Sequence, residues 1–374
     1  MNVTFDGVSL QNTLKSVKQL THLKTSLPIL SSVLIDVSFD GSISVAKFIA
    51  TDLEIWYTRK DVCASDESFK FCLSKNVIDF ILSIKKPDMV GFEYNEVTRK
   101  ELDRKNMEVV YVDCNLKVAI GKMVKLDTCH RTIDFPNIPY YEYADANSFN
   151  VNSNVLISTI KRFLPLAKKG WQGIIPEDTI FLVGEGGKDT YMLVTDGNIA
   201  EGKPMPFDVN NWILINKPKI IKALLLKDSL INVGYNTTSY TISGVDYTIN
   251  CKISSCTKFD YKSIVPVDKY INRLSFDVAE LKNALTCFDK NVKSVAFDFT
   301  ETTLTIKDTL GTISTSIQCN TTGELMRIKF ELVNINKLIN SIESSSIMMG
   351  YSHLHKIIIL DDNDVECLIM PLQW

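Results

Sequence analysis

The nine cysteines of this chain include no CxxC pair, no stretch approaches the roughly 20 apolar residues that cross a bilayer, and no GxxxxGK[ST] phosphate loop occurs. Each absence removes a class of function. The cysteines are odd in number and scattered, with Cys251 and Cys256 the nearest two, which argues for free thiols in a reducing compartment instead of a disulfide framework. Met1 to Gly7 mixes Asn2, Thr4 and Asp6 among apolar residues, with no basic segment and no apolar one following, so no secretion signal is read. A soluble, cytoplasmic protein is expected, with no membrane partner. Of the four histidines, His353 and His355 share one face of a strand but have no third ligand at usable spacing, and His22 and His130 fall in candidate loops or linkers. Gly184 to Asp189 lies between two strands, as a hairpin turn does, and does not open a helix. No Ser or Cys has a nucleophile context such as GxSxG. The chain is therefore expected to have no catalytic residue, no metal site and no cofactor.

What the chain does have is basic charge concentrated on one class of element. Six segments read as helices: Ser9 to Lys24, Ser74 to Lys86, Ser153 to Lys169, Asn216 to Lys227, Asp277 to Lys290 and Val333 to Glu343. They hold seventeen Lys and Arg against five Asp and Glu, although the whole chain has a formal charge of −3, so the remainder is strongly acidic. A solvated helix face ordinarily mixes Glu with Lys for i,i+4 pairing. The first, third and fourth segments have eleven basic residues and no acidic one. Like charges repel, so faces of one sign imply an external polyanion. Lysine on a flexible stem suits sequence-blind contact with phosphates. On charge alone, Lys161, Arg162, Lys168, Lys169, Lys217, Lys219 and Lys222 are the candidates.

The segments come in three pairs. In the leading members, Leu10, Leu14 and Val17, then Val155, Ile160 and Phe163, then Val278, Leu281 and Leu285 keep close to helical spacing, with Ser9, Ser153 and Asp277 as expected N-caps. Strand-like runs lie inside each pair at Ser32 to Val37, Ile180 to Val183 and Val295 to Phe299. More follow at Met89 to Tyr94, Leu230 to Tyr235 and Ile347 to Tyr351. The order strand, helix, strands, helix, strands is thus written three times, at spacings too long for a solenoid. Proline-containing stretches at Asp134 to Pro139 and Phe259 to Pro266 supply linkers, giving expected domains 1–140, 141–266 and 267–374. Many strands joined by short turns, such as Asp361 to Asp364, make antiparallel sheets that helices cover on one face, an α+β class.

Several short motifs then fall in order along the chain: Thr25-Ser26-Leu27-Pro28-Ile29-Leu30, Ala50-Thr51-Asp52-Leu53-Glu54, Asp134-Phe135-Pro136-Asn137, Val194-Thr195-Asp196-Gly197 and a final Met370-Pro371-Leu372. In this combination the chain resembles the bacterial β sliding clamp, the processivity subunit of DNA polymerase III, over essentially its whole length. The resemblance implies three similar clamp domains per subunit, with antiparallel sheets outside and paired helices inside, and a head-to-tail dimeric ring. It implies a non-catalytic protein that encircles double-stranded DNA without sequence preference and tethers the polymerase catalytic subunit, the clamp loader and other proteins through short peptides. Lys24 holds the place of a basic residue that approaches DNA in the family. The peptide pocket would use Thr195, Gly197, Asn198 and Ile199, then Ser263 and Ile264, and the tail Leu368, Ile369, Met370, Pro371 and Leu372.

The chain also departs from the pattern. Asn198-Ile199-Ala200 follows the Thr-Asp-Gly motif where family members usually continue with His-Arg-Leu, one residue longer; Ser263 stands where Arg is common; and the chain ends in Gln373-Trp374. The stretch Phe288 to Lys293, in a region that helps form the subunit contact in the family, is shorter than usual. Together with the nearly balanced charge of the third pair, it keeps a second expectation open, a monomeric clamp-derived adaptor that binds clamp partners without encircling DNA.

Overall fold

The computed structural model describes residues 1–102, 108–139, 147–168, 170, 175–184, 190–227, 229–253, 272–289, 291–325, 327–351, 358–362 and 365–372. One order of elements occurs three times. The first repeat runs β1 (Asn2–Asp6), α1 (Gly7–Thr21), β2 (Val33–Phe39), β3 (Ser44–Thr51), β4 (Ile55–Cys63), β5 (Phe69–Leu73), α2 (Lys75–Ser83), β6 (Met89–Leu102), β7 (Glu108–Ile120) and β8 (Met123–Thr128). The second runs β9 (Ser148–Asn152), α3 (Ser153–Ala167), β10 (Thr179–Val183), β11 (Tyr191–Thr195), β12 (Ile199–Pro204), β13 (Trp212–Asn216), α4 (Pro218–Leu224), β14 (Leu230–Tyr235), β15 (Ser239–Ser243) and β16 (Tyr247–Lys252). The third runs β17 (Asn272–Asp277), α5 (Val278–Leu285), β18 (Ser294–Phe299), β19 (Thr303–Asp308), β20 (Ser314–Thr322), β21 (Arg327–Glu331), α6 (Leu332–Ser341), β22 (Ser346–Tyr351), β23 (Ile358–Asp362) and β24 (Val365–Ile369). Every strand pair is antiparallel, so the α+β expectation holds.

All six expected helices form, three of them with a side-chain N-cap, whereas Ser153, expected to cap α3, is buried as its first residue. Asp6, not Ser9, caps α1: its carboxylate accepts the Ser9 N–H at 2.8 Å, because the helix begins two residues before the Ser9 proposed from sequence. Ser74 caps α2 and Asp277 caps α5. Leu10, Leu14 and Val17 of α1 and Val278, Leu281 and Leu285 of α5 are buried as the spacing predicts. In α3 the buried apolar residues are Leu156, Ile160, Phe163, Leu166 and Ala167; Val155 is half-buried, since the position one turn before Ile160 is residue 156. Helix α1 packs on β3 and β4 and pairs with α2; α5 packs on β17 and β20 and pairs with α6. No helix among the described residues is long and apolar enough to cross a membrane. The described cysteines are free thiols.

The chain divides into two compact units, one of residues 1–154 with 220–252 and one of 155–219 with 253–374. The expected limits near 140 and 266 lie outside the described residues. The first unit contains the sheets β1-β6-β7-β8 and β5-β2-β3-β4-β16-β15-β14-β9; the second contains one twelve-stranded sheet, β13-β10-β11-β12-β24-β23-β22-β17-β20-β19-β18-β21. Each unit thus holds one seam where strands of successive repeats pair. In the first seam, β4 meets β16, with Ile55 opposite Cys251 and Trp56 opposite Asn250. In the second, β12 meets β24, with Ile199 opposite Ile369 and Ala200 opposite Leu368.

The turn that leads into each seam strand is the same device. Asp52 accepts the Ile55 N–H at 2.8 Å and gives its own N–H to Ile55 O at 3.2 Å; Asp196 and Ile199 repeat this at 3.0 and 3.1 Å. Asp308 and Ile313 repeat it again before β20, at 2.9 and 3.1 Å. The third turn leads into residues Ser314 to Gln318, which pair with β19 on one side and with no described strand on the other.

Candidate docking and nucleic-acid surfaces

At the second seam, Thr195 to Ile199 form a turn locked by their own side chains. Asp196 Oδ1 accepts from the N–H groups of Asn198 and Ile199, while Thr195 Oγ1 accepts from Gly197 N–H at 3.1 Å and donates to Ile199 O at 2.7 Å. Gly197 sits at φ +89°, a conformation that costs glycine nothing. The tail is tied to this turn: Met370 N–H donates to Asn198 O at 3.0 Å, and Leu372 N–H donates to Lys329 O at 2.8 Å. The structure therefore brings Thr195, Gly197, Asn198 and Ile199 together with Leu368, Ile369, Met370, Pro371 and Leu372. Ser263 and Ile264 lie outside the described residues.

Strand alternation sorts these residues onto two faces. Ala200 and Leu368 join Ile175, Phe181, Leu193 and Leu214 in one apolar cluster, flanked by Tyr191 and Trp212. Ile199 and Ile369 point the other way, into the core on the side of Glu201 and Cys367. Met370 and Leu372 are exposed and Pro371 is half-buried. The result is a buried apolar cluster edged by a turn of fixed shape and a tail whose Met370 and Leu372 are exposed. Sequence reasoning missed Ala200 and the cluster beneath it, although the period-2 pattern through Tyr191 to Thr195 and Ile199 to Pro204 carries that signal.

One expected phosphate contact is corrected. The Arg162 side chain is 6% exposed, and its guanidinium is held by two carboxylates that are 0% exposed: Nε to Glu201 at 3.1 Å and Nη1 to Asp362 at 2.7 Å. Its Nη2 lies 3.4 Å from Cys367 Sγ. Ser341 Oγ donates to the other Glu201 oxygen at 2.6 Å, and the Glu343 and Ser344 N–H groups donate to Asp362 at 3.0 and 2.9 Å. A guanidinium so committed does not face DNA. Burial pushes the Glu201 carboxyl up despite Arg162 beside it. For Asp362 burial acts the same way, but hydrogen bonds from Ser344 and Glu343 and the charge of Arg162 outweigh it and hold the carboxyl below its usual value. Helix α6 adds a second tie one turn away from Ser341, where Lys337 Nζ donates to Asp196 Oδ2 at 2.7 Å.

The other basic candidates stand differently. Lys24, Lys161, Lys168 and Lys219 are exposed, whereas Lys217 and Lys222 are half-buried. Lys217 sits at φ +50°, and its N–H donates to Asp178 O at 2.9 Å. Lys169 lies outside the described residues. Lys161 is on α3, and Lys168 follows its last residue, Ala167, seven residues further along; both are exposed. In the first helix pair, Lys18 and His22 both reach Asp79, at 2.8 and 3.0 Å. The Lys18 hydrogen bond, aided by His22, holds the Asp79 carboxyl below its ordinary value. Among the described residues, no three His, Cys, Asp or Glu side chains converge as a metal site.

No protein-family model matches the chain, and comparison with curated proteins also finds no match. Solved structures do match its fold. The DNA polymerase III subunit beta of Pseudomonas aeruginosa superposes with a TM-score of 0.80 at 16% identity, covering 100% of both chains. The DNA polymerase III beta subunit of Thermotoga maritima gives 0.76 at 17% identity, covering 100% of this chain and 99% of its own. The Helicobacter pylori beta clamp bound to a DNA ligase peptide gives 0.78 at 15% identity, covering 100% of both. The chain has the sliding-clamp fold.

Proposed function

We propose that this chain is a non-catalytic DNA sliding clamp, a cytoplasmic processivity factor that encircles duplex DNA as a head-to-tail homodimer. Each subunit would comprise three domains, 1–140, 141–266 and 267–374. The observation that carries the reading is the repetition of seams. Strand β4 pairs with β16 and β12 pairs with β24, and β20, the corresponding strand of the third repeat, follows a turn of the same kind, two residues longer, although that turn also precedes β3 at Asp40 to Ile43. The strand of the β16 and β24 type left at an edge is β8, where Met123, Val124 and Leu126 are exposed, Leu126 by 75%. An exposed apolar edge strand is a liability in a monomer and an asset at an interface. Carried over to a contact between two subunits, the register of both internal seams would set Ser314 of β20 against Leu126 of β8. Such a contact is heterologous, and it closes only if the rotation returns to its start.

Inside the ring, Lys24, Lys161, Lys168, Lys217, Lys219 and Lys222 would meet phosphates, and Lys169 joins them on charge alone. These contacts are weak, salt-sensitive and indifferent to sequence, which permits sliding, while topology prevents escape. The turn and tail at the second seam, with Ser263 and Ile264 added by resemblance, would take an extended peptide through its apolar anchors. The polymerase catalytic subunit, the clamp loader and other replication proteins would supply such peptides, and the tether raises polymerase concentration at the primer end.

Light scattering tests the ring. The 42.2 kDa subunit should double in mass at micromolar concentration, and Leu126→Glu should return it to a folded monomer. A wild-type chain that stays monomeric would leave the adaptor reading instead. The Helicobacter pylori ligase peptide, labelled for fluorescence polarisation, is the probe for docking; deleting Met370 to Trp374 should abolish its binding without unfolding the chain.

A further inference from the structure

The turn at the second seam is held from outside as well as from within. Asp196 Oδ1 accepts from the Asn198 and Ile199 N–H groups, and Oδ2 accepts from Lys337 Nζ at 2.7 Å, across 141 residues of chain. The Asp196 side chain is 3% exposed and that of Lys337 16%, so water screens this pair far less than it screens a surface ion pair.

The first seam forms the same turn without such a cation. Asp52 Oδ1 accepts from the Glu54 and Ile55 N–H groups, and Leu53 adopts φ +73° where Gly197 adopts +89°. The helix that corresponds to α6 in the middle repeat is α4. Its buried Pro218, Ile221 and Leu224 match Leu332, Ile335 and Leu338, which puts exposed Ala223 at the place of Lys337. A methyl group cannot reach out to a carboxylate. Nor does a turn of this kind require the carboxylate, because Asn236 builds one as well: its Oδ1 accepts from the Thr238 and Ser239 N–H groups, both at 2.8 Å, and its own N–H donates to Ser239 O at 2.9 Å. The charge pair at the second seam is therefore more than the turn needs in order to form.

What the pair fixes is the turn's position against helix α6. Asn198 O accepts from Met370 N–H at 3.0 Å, so any rocking of the turn is passed to the tail, where Met370 and Leu372 are exposed. We propose that Lys337 is a positioning residue of the docking site, pairing with Asp196 to hold turn and tail in the arrangement that an apolar-anchored peptide meets. Lys337 acts through Asp196, and a turn and tail already ordered lower the entropy lost on binding. The inference rests on the docking reading given above.

The test is a double-mutant cycle on binding. The labelled ligase peptide is titrated into the wild-type chain, Lys337→Ala, Asp196→Asn and the double variant, at a temperature where thermal unfolding shows each to be folded. Each single variant should bind about 10-fold more weakly, and the double variant no more weakly than either. Lys337→Arg, which keeps a cation within reach of Asp196, should recover most of the loss. A role confined to stability would lower the unfolding temperature and leave the affinity of the folded chain unchanged. Single variants that bind within about threefold of wild type therefore overturn the inference and leave the docking reading in place, as do losses that simply add in the double variant. If one single variant does not fold, the other carries the test. Failure of the wild-type chain to bind overturns the docking reading itself, and the inference with it.

Discussion

Replacing Arg162 with Met should lower unfolding free energy by about 3–5 kcal/mol in a denaturant melt, because Glu201 and Asp362 would remain buried without their shared cation. Replacing its neighbour Lys161 with Glu should leave the melt within about 0.5 kcal/mol and weaken association with duplex DNA. The contrast separates a structural cation from a phosphate contact at adjacent positions. Acidity at the same cluster is also measurable. Burial raises the Glu201 carboxyl, so the folded chain keeps that proton after the unfolded chain, near pH 4.3, has begun to lose it. By linkage this contribution is fully present below about pH 4.3 and is lost as pH rises through the folded value. Asp362 has the opposite sign: its lowered carboxyl stabilises above about pH 3.9, and that contribution is lost as pH falls further. Against Glu201→Gln, wild-type stability should therefore decline as pH is raised from 4; parallel curves would mean Glu201 titrates normally. Sequence alone misassigned Arg162 because composition counts charges without their partners. Glu201 and Asp362 are 39 and 200 residues away along the chain.

At the scale of elements, the turns before the seam strands carry unequal strain. Gly197 occupies left-handed backbone at no steric cost, so Gly197→Ala should cost about 1–2 kcal/mol. Leu53 already bears that strain in the equivalent corner, so Leu53→Gly should change stability by less than about 1 kcal/mol, relief being offset by lost chain entropy. Thermal melts of the two variants decide it, and a large gain from Leu53→Gly would mean the corner is under more tension than its φ implies. Helices and strands were legible because their periodicity is local: Leu281 and Leu285 declare a helix face, and Val295 to Phe299 a strand, without outside help. The cap at Asp6 was missed because Ser9 looks equally suitable until the strand before it is known to stop at Asp6. The seams were illegible, since pairing of Ile55 with Cys251 joins residues that no short pattern relates.

For the whole molecule, ring closure can be separated from affinity. Cysteines placed at Ser314 and Leu126 should cross-link two subunits through both contacts, since opposed seam positions lie within disulfide reach. The cross-linked form, closed around a nicked plasmid, should survive high salt and be shed when the plasmid is cut to a linear form. Loss from the intact circle in salt would mean that charge alone held it. Clusters such as Ala200 with Leu368 depend on strands contributed by different repeats, which is why sequence motifs located the tail but not the cluster it edges.

The division of the middle repeat also orders events during synthesis. Residues 155–219 belong with a partner that begins only at residue 253, while the first unit awaits residues 220–252 for its last strands. As the chain leaves the ribosome, the earlier unit can finish first, and for that interval the stretch in between is exposed with its β12 edge unoccupied. Its Glu201 and Lys203 alternate with the apolar positions there, and a charged edge is what keeps a waiting strand from pairing with the wrong neighbour.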